Sequence, residues 1–291
     1  MNSKIRLLNK KLCQVATITY KNYAAALSSE ASSRSFVNVI EDDKKKTANI
    51  VMQRPPVNSL NTELLQQLTS AIKSLEEKHY RGFVLSSSSP TVFSAGLDIT
   101  EMYKPTEERL RLFWTSLQTM WKTLYQTPLI SIAAINGHSP AGGCLLALSC
   151  DHSIMVKNRA TIGLNETMLG IIAPKWFRQM YINTLGFRVA EHALKLGKLF
   201  TAEEALQLHI VDELVDSPSD LNEKCQSEID KWLKIPDTAR RLTKLSLRKP
   251  YVDELTTYEL QEVEDIVKFV FNEETQNMLA AYMKSLKGQK K

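Results

Sequence analysis

ISIAAINGHSPAGGCLLALSCDHSIMVKNRATIGLNETMLGIIAP, Ile130 to Pro174, carries three local signals in succession. An apolar, β-branched run from Leu129 to Ile135 is bounded by Pro128 and by Asn136-Gly137, which predicts a buried strand. Gly142-Gly143 then opens an apolar segment ending at Cys150, short enough for one helix inside a core. Strand, glycine turn and helix N-terminus together leave backbone N–H groups where an anionic oxygen can sit. Glu166 follows, the only acid between Asp151 and Glu191. It stands among Ile162, Leu164, Met168, Leu169, Ile171 and Ile172. A carboxylate in such company has to be paired, neutralised or used.

Upstream, Phe36 to Ile40 alternates like a strand, Glu41 to Lys46 reads as a charged turn, and Ala48 to Met52 as the hairpin partner. RPPVNSLN, Arg54 to Asn61, interrupts regular structure and ends in a plausible N-cap. Leu60, Leu64, Leu65, Leu68, Ile72 and Leu75 recur at helical spacing, predicting an amphipathic helix over Thr62 to Lys78. Phe83 to Leu85 is a short strand, and a second helix runs from about Thr106 to Tyr125. Downstream, helices are expected over Lys175–Thr184, Phe187–Leu196 and Thr201–Leu208, and a strand over Ile210–Val215. Two further helices, Leu221–Leu233 and Thr238–Leu247, precede a long one over Val252–Lys287, whose Lys and Arg residues read as a solvated face. Strands alternating with helices, then a helical tail, argue for an α/β layered core with a C-terminal helical module.

A chain of 291 residues with 43% hydrophobic content can bury a substantial core, and no apolar run is long enough to span a membrane. Charge is unevenly spread. Residues 1–29 carry Lys4, Arg6, Lys10, Lys11 and Lys21 and no acid; the other 32 of the 37 basic groups are balanced by 32 acids. The basic, Ser/Thr/Asn-rich arm suits a mitochondrial transit peptide, with a plain basic tail as the alternative. The neutral body gives nucleic-acid binding little support. Cys13, Cys144, Cys150 and Cys225 have neither metal-ligand nor disulfide-scaffold spacing.

Nucleotide-binding glycine loops, nucleophile elbows and zinc motifs are all missing from the sequence, so nucleotide cofactors and catalytic metals are unsupported. His79, His138, His152, His192 and His209 lack ligand spacing and read as structural; His138 beside Gly137 is the one that could approach a ligand. What remains is two glycine-containing loops and one glutamate. Ser94-Ala95-Gly96-Leu97-Asp98 and Pro140-Ala141-Gly142-Gly143 each follow a short apolar strand. Two N–H groups from separate loops can converge on one oxygen and stabilise an enolate or tetrahedral oxyanion. The bland readings are a Glu166 paired with a distant arginine, an Asp98 that caps a helix, and an Asn165 that shapes a turn.

FSAGLDITEM, INGHSPAGGCLLALSCDHSI and IGLNETMLGII, with RPPVNSLN before them, resemble the successive signatures of the crotonase (enoyl-CoA hydratase/isomerase) superfamily. The likeness runs from about Phe36 to the C-terminus. Within the superfamily, AGLD-TEM, PAGGC and IGLNET-LGIIAP are most similar to its mitochondrial Δ3-Δ2-enoyl-CoA isomerase branch, short-chain type. The resemblance implies a spiral of repeated ββα units and a C-terminal helical region that assembles homotrimers. The expected organisation is a transit peptide over 1–34, a crotonase-like α/β core over 35–235 and the helical region over 236–291.

The resemblance also assigns roles. The backbone N–H groups of Leu97 and Gly142 match the pair that holds a thioester oxygen, and Glu166 matches the catalytic acid/base. Ala95, Gly96, Leu97, Asp98 and Ile99, with Gly142 and Asn165, match the acyl-CoA site. No cofactor or metal is implied beyond the CoA of the substrate, and the implied compartment is the mitochondrial matrix. Hydratases carry a second glutamate three residues after the oxyanion-hole glycine; here that position is Leu145. One glutamate suffices to move a proton from C2 to C4, whereas a hydratase also has to handle water. Another acyl-CoA hydratase or hydrolase, or a crotonase-like RNA-binding protein, are the alternatives.

Overall fold

The structure is a computed structural model that describes residues 34–157 and 160–288. The expected leader, 1–34, lies outside these residues except for Arg34. Residues 36–291 form one compact unit. Strand β1 (Val37–Asp42) pairs antiparallel with β2 (Thr47–Met52). From β2 the sheet continues in parallel through β3 (Gly82–Ser87), β4 (Ile130–Ile135), β6 (His152–Val156) and β9 (Glu213–Val215). A second, small sheet joins β5 (Ser139–Pro140), β7 (Thr161–Gly163) and β8 (Phe200–Thr201). Helix α1 (Thr62–Glu77) follows the first hairpin, α2 (Glu107–Gln126) follows β3, and α3 (Gly142–Ser149) follows β4 and β5. This is the expected α/β succession of strand units, each closed by a helix.

The continuous apolar run of β4 has a direct cause: both faces of the strand are covered. Ala133 and Ile135 join the main core with Phe83, Leu85 and the α1 and α2 leucines. Ile130, Ile132 and Ala134 face a second cluster with Val84, Ile154 and the Leu221, Cys225 and Ile229 side chains of α7 (Pro218–Trp232). Parallel sheets buried on both sides read this way, without alternation. Asn61 caps α1, accepting from the Leu64 N–H at 3.0 Å, and Thr106 caps α2 through the Arg109 N–H.

Helices α4 (Lys175–Leu185), α5 (Phe187–Leu196) and α6 (Ala202–Gln207) fall where periodicity predicts them. The strand expected over Ile210–Val215 is shorter. Ile210 and Val211 donate their N–H groups back to Ala205 O and close the end of α6, so pairing begins only at Glu213.

The C-terminal helices depart from expectation in two ways. Helix α8 runs unbroken from Asp237 to Val270 with Pro250 inside it, and α9 (Glu273–Gly288) starts afresh. Lys244 and Arg248, six and two residues ahead of the proline, anchor α8 to the core, so the lost Pro250 N–H does not end the helix. The break comes instead at Asn272, whose Oδ1 accepts from Glu274 N–H at 2.9 Å while Gln276 Nε2 donates to Val270 O at 2.7 Å. Ahead of the stretch expected to carry a solvated basic face, where Lys268 and Lys284 are indeed exposed, α8 buries two cations. Lys244 Nζ meets Asp151 Oδ2 at 2.7 Å and Arg248 meets Asp151 Oδ1 at 3.1 Å, all three side chains largely buried. Further along, Glu262 accepts from the indole N–H groups of Trp114 and Trp176, tying α8 to α2 and α4.

Candidate active site

The loops that follow β2, β3 and β4 and the segment after β7 converge on one cavity of about 460 Å³. Ligand sites in parallel sheets form at such carboxyl ends, where loops diverge from the strands. Its wall includes Ala95, Leu97, Asp98, Ile99, Ala141, Asn165 and Glu166. Of the residues expected to bind an acyl-CoA, Gly96 and Gly142 lie immediately behind this wall. Their backbones pack so closely that a Cβ on Gly96 would stand 2.9 Å from Ala141 Cβ and 3.0 Å from Gly142 N. Gly96 also has φ +83°, a conformation side chains rarely adopt.

The direction of the Leu97 N–H follows from its neighbours. Leu60 donates to Gly96 O at 2.8 Å and accepts from Asp98 N–H at 3.0 Å, the pattern of a parallel bridge centred on Leu97. Leu97's own N–H therefore points away from Leu60. Gly142 is the first residue of α3, so its N–H has no intrahelical acceptor. Neither N–H donates to a protein acceptor among the described residues. Ala141, which caps α3, holds φ +49° and ψ −118°, a strained geometry for a residue with a Cβ. Its N–H donates to Gly163 O at 2.8 Å. Two free donors thus arrive from two loops, as an oxyanion hole requires.

Glu166 opens a 3₁₀ turn, Glu166–Leu169, that ends at Gly170 in the left-handed conformation. The side chain is 6% exposed, and its Oε2 has no hydrogen-bond partner, nor has the buried Oδ1 of Asn165. No described cation pairs with it, so the reading of a structural acid held by an arginine fails. Burial pushes the Glu166 pKa up from 4.5 to about 7. Asp98, the other carboxylate of the cavity, is engaged differently. It accepts from Arg54 at 2.6 Å and from the Thr100 N–H and Oγ1 at 3.0 and 2.6 Å, and caps the short Ile99–Glu101 turn. One carboxylate is spoken for, the other is free.

Leu145, at the position where hydratases carry their second glutamate, is packed in the main core and does not line the cavity. Its place in the first turn of α3 turns it inward.

His138 is exposed and bonded to Thr161, away from the cavity wall. His152 is brought beside Glu213 and Glu228, their ligand atoms within 4.8 Å of one another. Lys224 already pairs with Glu213 and Lys231 with Glu228, and Trp232 donates to Glu228, so this cluster joins β6, β9 and α7. Cys144, Cys150 and Cys225 are buried free thiols.

The sequence reading missed Tyr282 and Met283 of α9, which line the same cavity as Glu166, more than 110 positions earlier. The only trace is an apolar stripe at Met278, Leu279, Tyr282 and Met283, a pattern that any packed helix shows.

The family model described as enoyl-CoA hydratase/isomerase matches residues 42–290. The chain is 45% identical over 242 residues to mitochondrial enoyl-CoA delta isomerase 1 of Mus musculus, covering 82% of this chain and 83% of that protein. Its structure is similar to that of human mitochondrial delta3-delta2-enoyl-CoA isomerase, with TM-score 0.86 and 43% identity over 88% of this chain and 100% of that one. An enoyl-CoA hydratase from Bacillus halodurans superposes with TM-score 0.77 at 25% identity, covering 85% of this chain and 100% of the other.

Proposed function

The chain belongs to the enoyl-CoA hydratase/isomerase family, and we propose that its single free carboxylate is what makes it an isomerase rather than a hydratase. The reaction converts a 3-enoyl-CoA into the trans-2-enoyl-CoA, a step in the oxidation of unsaturated fatty acids. The thioester oxygen sits between the N–H groups of Leu97 and Gly142. The Glu166 carboxylate takes the proton from C2, and the C–H electron pair moves into a dienolate whose charge rests on the oxygen. The same glutamic acid then returns the proton to C4, leaving the double bond between C2 and C3.

Each part answers a physical need. Two donors on the developing oxyanion are worth much of the rate, since losing one typically costs ~10²–10³. An acid/base whose pKa lies near neutrality works in both directions. Ala95, Gly96, Asp98, Ile99 and Asn165 shape the remainder of the acyl-CoA site; CoA itself is part of the substrate, and the chemistry needs no other cofactor or metal. The observation that carries the reading is the pairing state of the two cavity carboxylates. Asp98 is saturated by Arg54 and Thr100, which leaves Glu166 alone to move protons. Addition of water would call for a second free group.

Two further features belong to the reading. The basic arm supports import into the mitochondrial matrix, and relatives of this length carry a mitochondrial name. Met168, Ile172, Phe187 and Leu196 expose 57–72% of their surface, apolar area suited to contacts within a homotrimer. The test of the reaction is incubation of the chain from about Ser35 with 3-hexenoyl-CoA in ¹⁸O-labelled water. The expected product is unlabelled trans-2-hexenoyl-CoA. Labelled 3-hydroxyacyl-CoA formed at a comparable rate would assign a hydratase instead.

A further inference from the structure

Resting on the acyl-CoA reading above, we infer that Tyr282 is the stop against which the end of the acyl chain comes to rest, and that Gln276 holds α9 at the distance that sets the stop. Catalysis fixes C2 to C4 of the substrate at Glu166. Every carbon beyond C4 therefore has to find room in what is left of the cavity. The CoA end is polyanionic and needs polar or cationic surroundings. The wall that α9 supplies is instead the aromatic ring of Tyr282 and the thioether of Met283, facing a cavity also lined by Met102, Leu169 and Ile171. Such a surface takes a hydrocarbon tail.

A wall measures length only if it stands still, and α9 is fastened on two sides of the cavity. On one side, Gln276 uses its whole carboxamide. Its Oε1 accepts from Lys104 N–H at 2.9 Å, and its Nε2 donates to Met102 O at 2.9 Å and to Val270 O at 2.7 Å. The loop that presents Met102 is thus bolted to the start of α9. On the other side, Met278 lies against Gly170, the residue that ends the Glu166 turn; a Cβ at Gly170 would come within 1.9 Å of Met278 Sδ. Tyr282 is one helical turn beyond Met278. The base and the wall therefore share an attachment, and the space between them is set by packing rather than by a mobile loop. Of the two wall residues, tyrosine is stiff and methionine adaptable, which makes Tyr282 the stop and Met283 a filler.

The test is titration of the full chain with unreactive saturated acyl-CoAs from hexanoyl to tetradecanoyl. Affinity of the wild-type chain should rise about 4-fold per methylene while the tail is being buried, then level or fall once the stop is met. Tyr282→Ala should move that break to longer chains and Tyr282→Trp to shorter ones, opposite shifts that loss of folding cannot produce. Gln276→Leu, which removes all three bonds, should flatten the break without moving it in one direction. Break points that coincide in the wild type and both Tyr282 variants would overturn the inference. Because saturated thioesters do not react, this outcome is separate from the isomerase assay. Shifted breaks with no turnover of 3-hexenoyl-CoA would sink the proposed reaction and leave the ruler standing.

Discussion

Ala141 donates its backbone N–H to the carbonyl of Gly163 at 2.8 Å, and this bond joins the two halves of the proposed catalytic arrangement. Ala141 precedes Gly142, one donor of the proposed oxyanion hole. Gly163 ends β7, three residues before Glu166. Donor and base are thus positioned by one strand pairing, β5 on β7, which also includes Ser139 opposite Ile162. A base that must reach C2 and C4 of a substrate held by its carbonyl oxygen needs such a short, stiff connection.

Glu166→Gln preserves size and removes the base, so isomerase turnover should fall ~10²–10⁴-fold in a folded protein. For the wild type, kcat/KM should rise with pH through about 7 as the carboxyl ionises. The same pKa has a stability consequence with a definite sign. A carboxyl whose folded pKa is raised binds its proton more tightly in the fold, so stability is lost as pH climbs from about 4.5 through about 7. Glu166→Gln should therefore be more stable than wild type at pH 8 by up to ~3 kcal/mol, and about equal at pH 4, by urea unfolding. A destabilised glutamine variant at pH 8 would contradict the burial argument.

Gly96→Ala puts a Cβ into a left-handed position and against Ala141 and Gly142 N. The loops must separate, and with them the two donors. Turnover should drop ~10²-fold or more, with a stability loss of only ~1–3 kcal/mol. Turnover near the wild-type rate, measured beside thermal unfolding, would show that the hole does not depend on this contact.

Asp151→Asn tests the anchor of α8. Asp151 also accepts from Ser131 N–H and Oγ at 3.0 and 3.1 Å, and its removal leaves the buried Lys244 and Arg248 without a counter-charge. Burial already depresses the Lys244 pKa to about 8. Chemical denaturation at pH 7 should show a loss of ~3–5 kcal/mol.

Assembly is proposed to use the exposed apolar face next to the catalytic turn rather than the C-terminal helices alone, since Val263 and Val270 of α8 are already buried in the chain's own core. Sedimentation at micromolar concentration should give a trimer for the wild type, and Ile172→Glu with Leu196→Glu should dissociate it. A wild-type monomer would remove that role from the face.

Residues 1–34, fused to a reporter, should carry it into the mitochondrial matrix. A cytosolic reporter would count against the transit-peptide reading of the arm.

The local signals of this chain lay open in its residues. The β4 run, the glycine pair of α3, the amphipathic face of α1, the cap at Asn61 and the start of α2 near Thr106 depend on a few neighbours in sequence, and periodicity or side-chain chemistry reports them directly. Glu166 was visible for the same reason, as one acid in an apolar stretch. Distance in sequence hid the rest. Nothing near Pro250 shows that Lys244 and Arg248 will be held by Asp151, so the helix was expected to stop where it continues. Nothing in α9 shows that Tyr282 and Met283 face a glutamate more than a hundred residues earlier. Nor does Asp98 advertise Arg54, its partner 44 positions upstream, although that ion pair leaves only one carboxylate free. Sequence determined most of the elements and singled out Glu166 as the proposed base; tertiary structure decided where α8 continues, which groups are neutralised and which walls close the cavity. Pairing and burial are set by contacts across the fold, and those exist only once the chain has closed on itself.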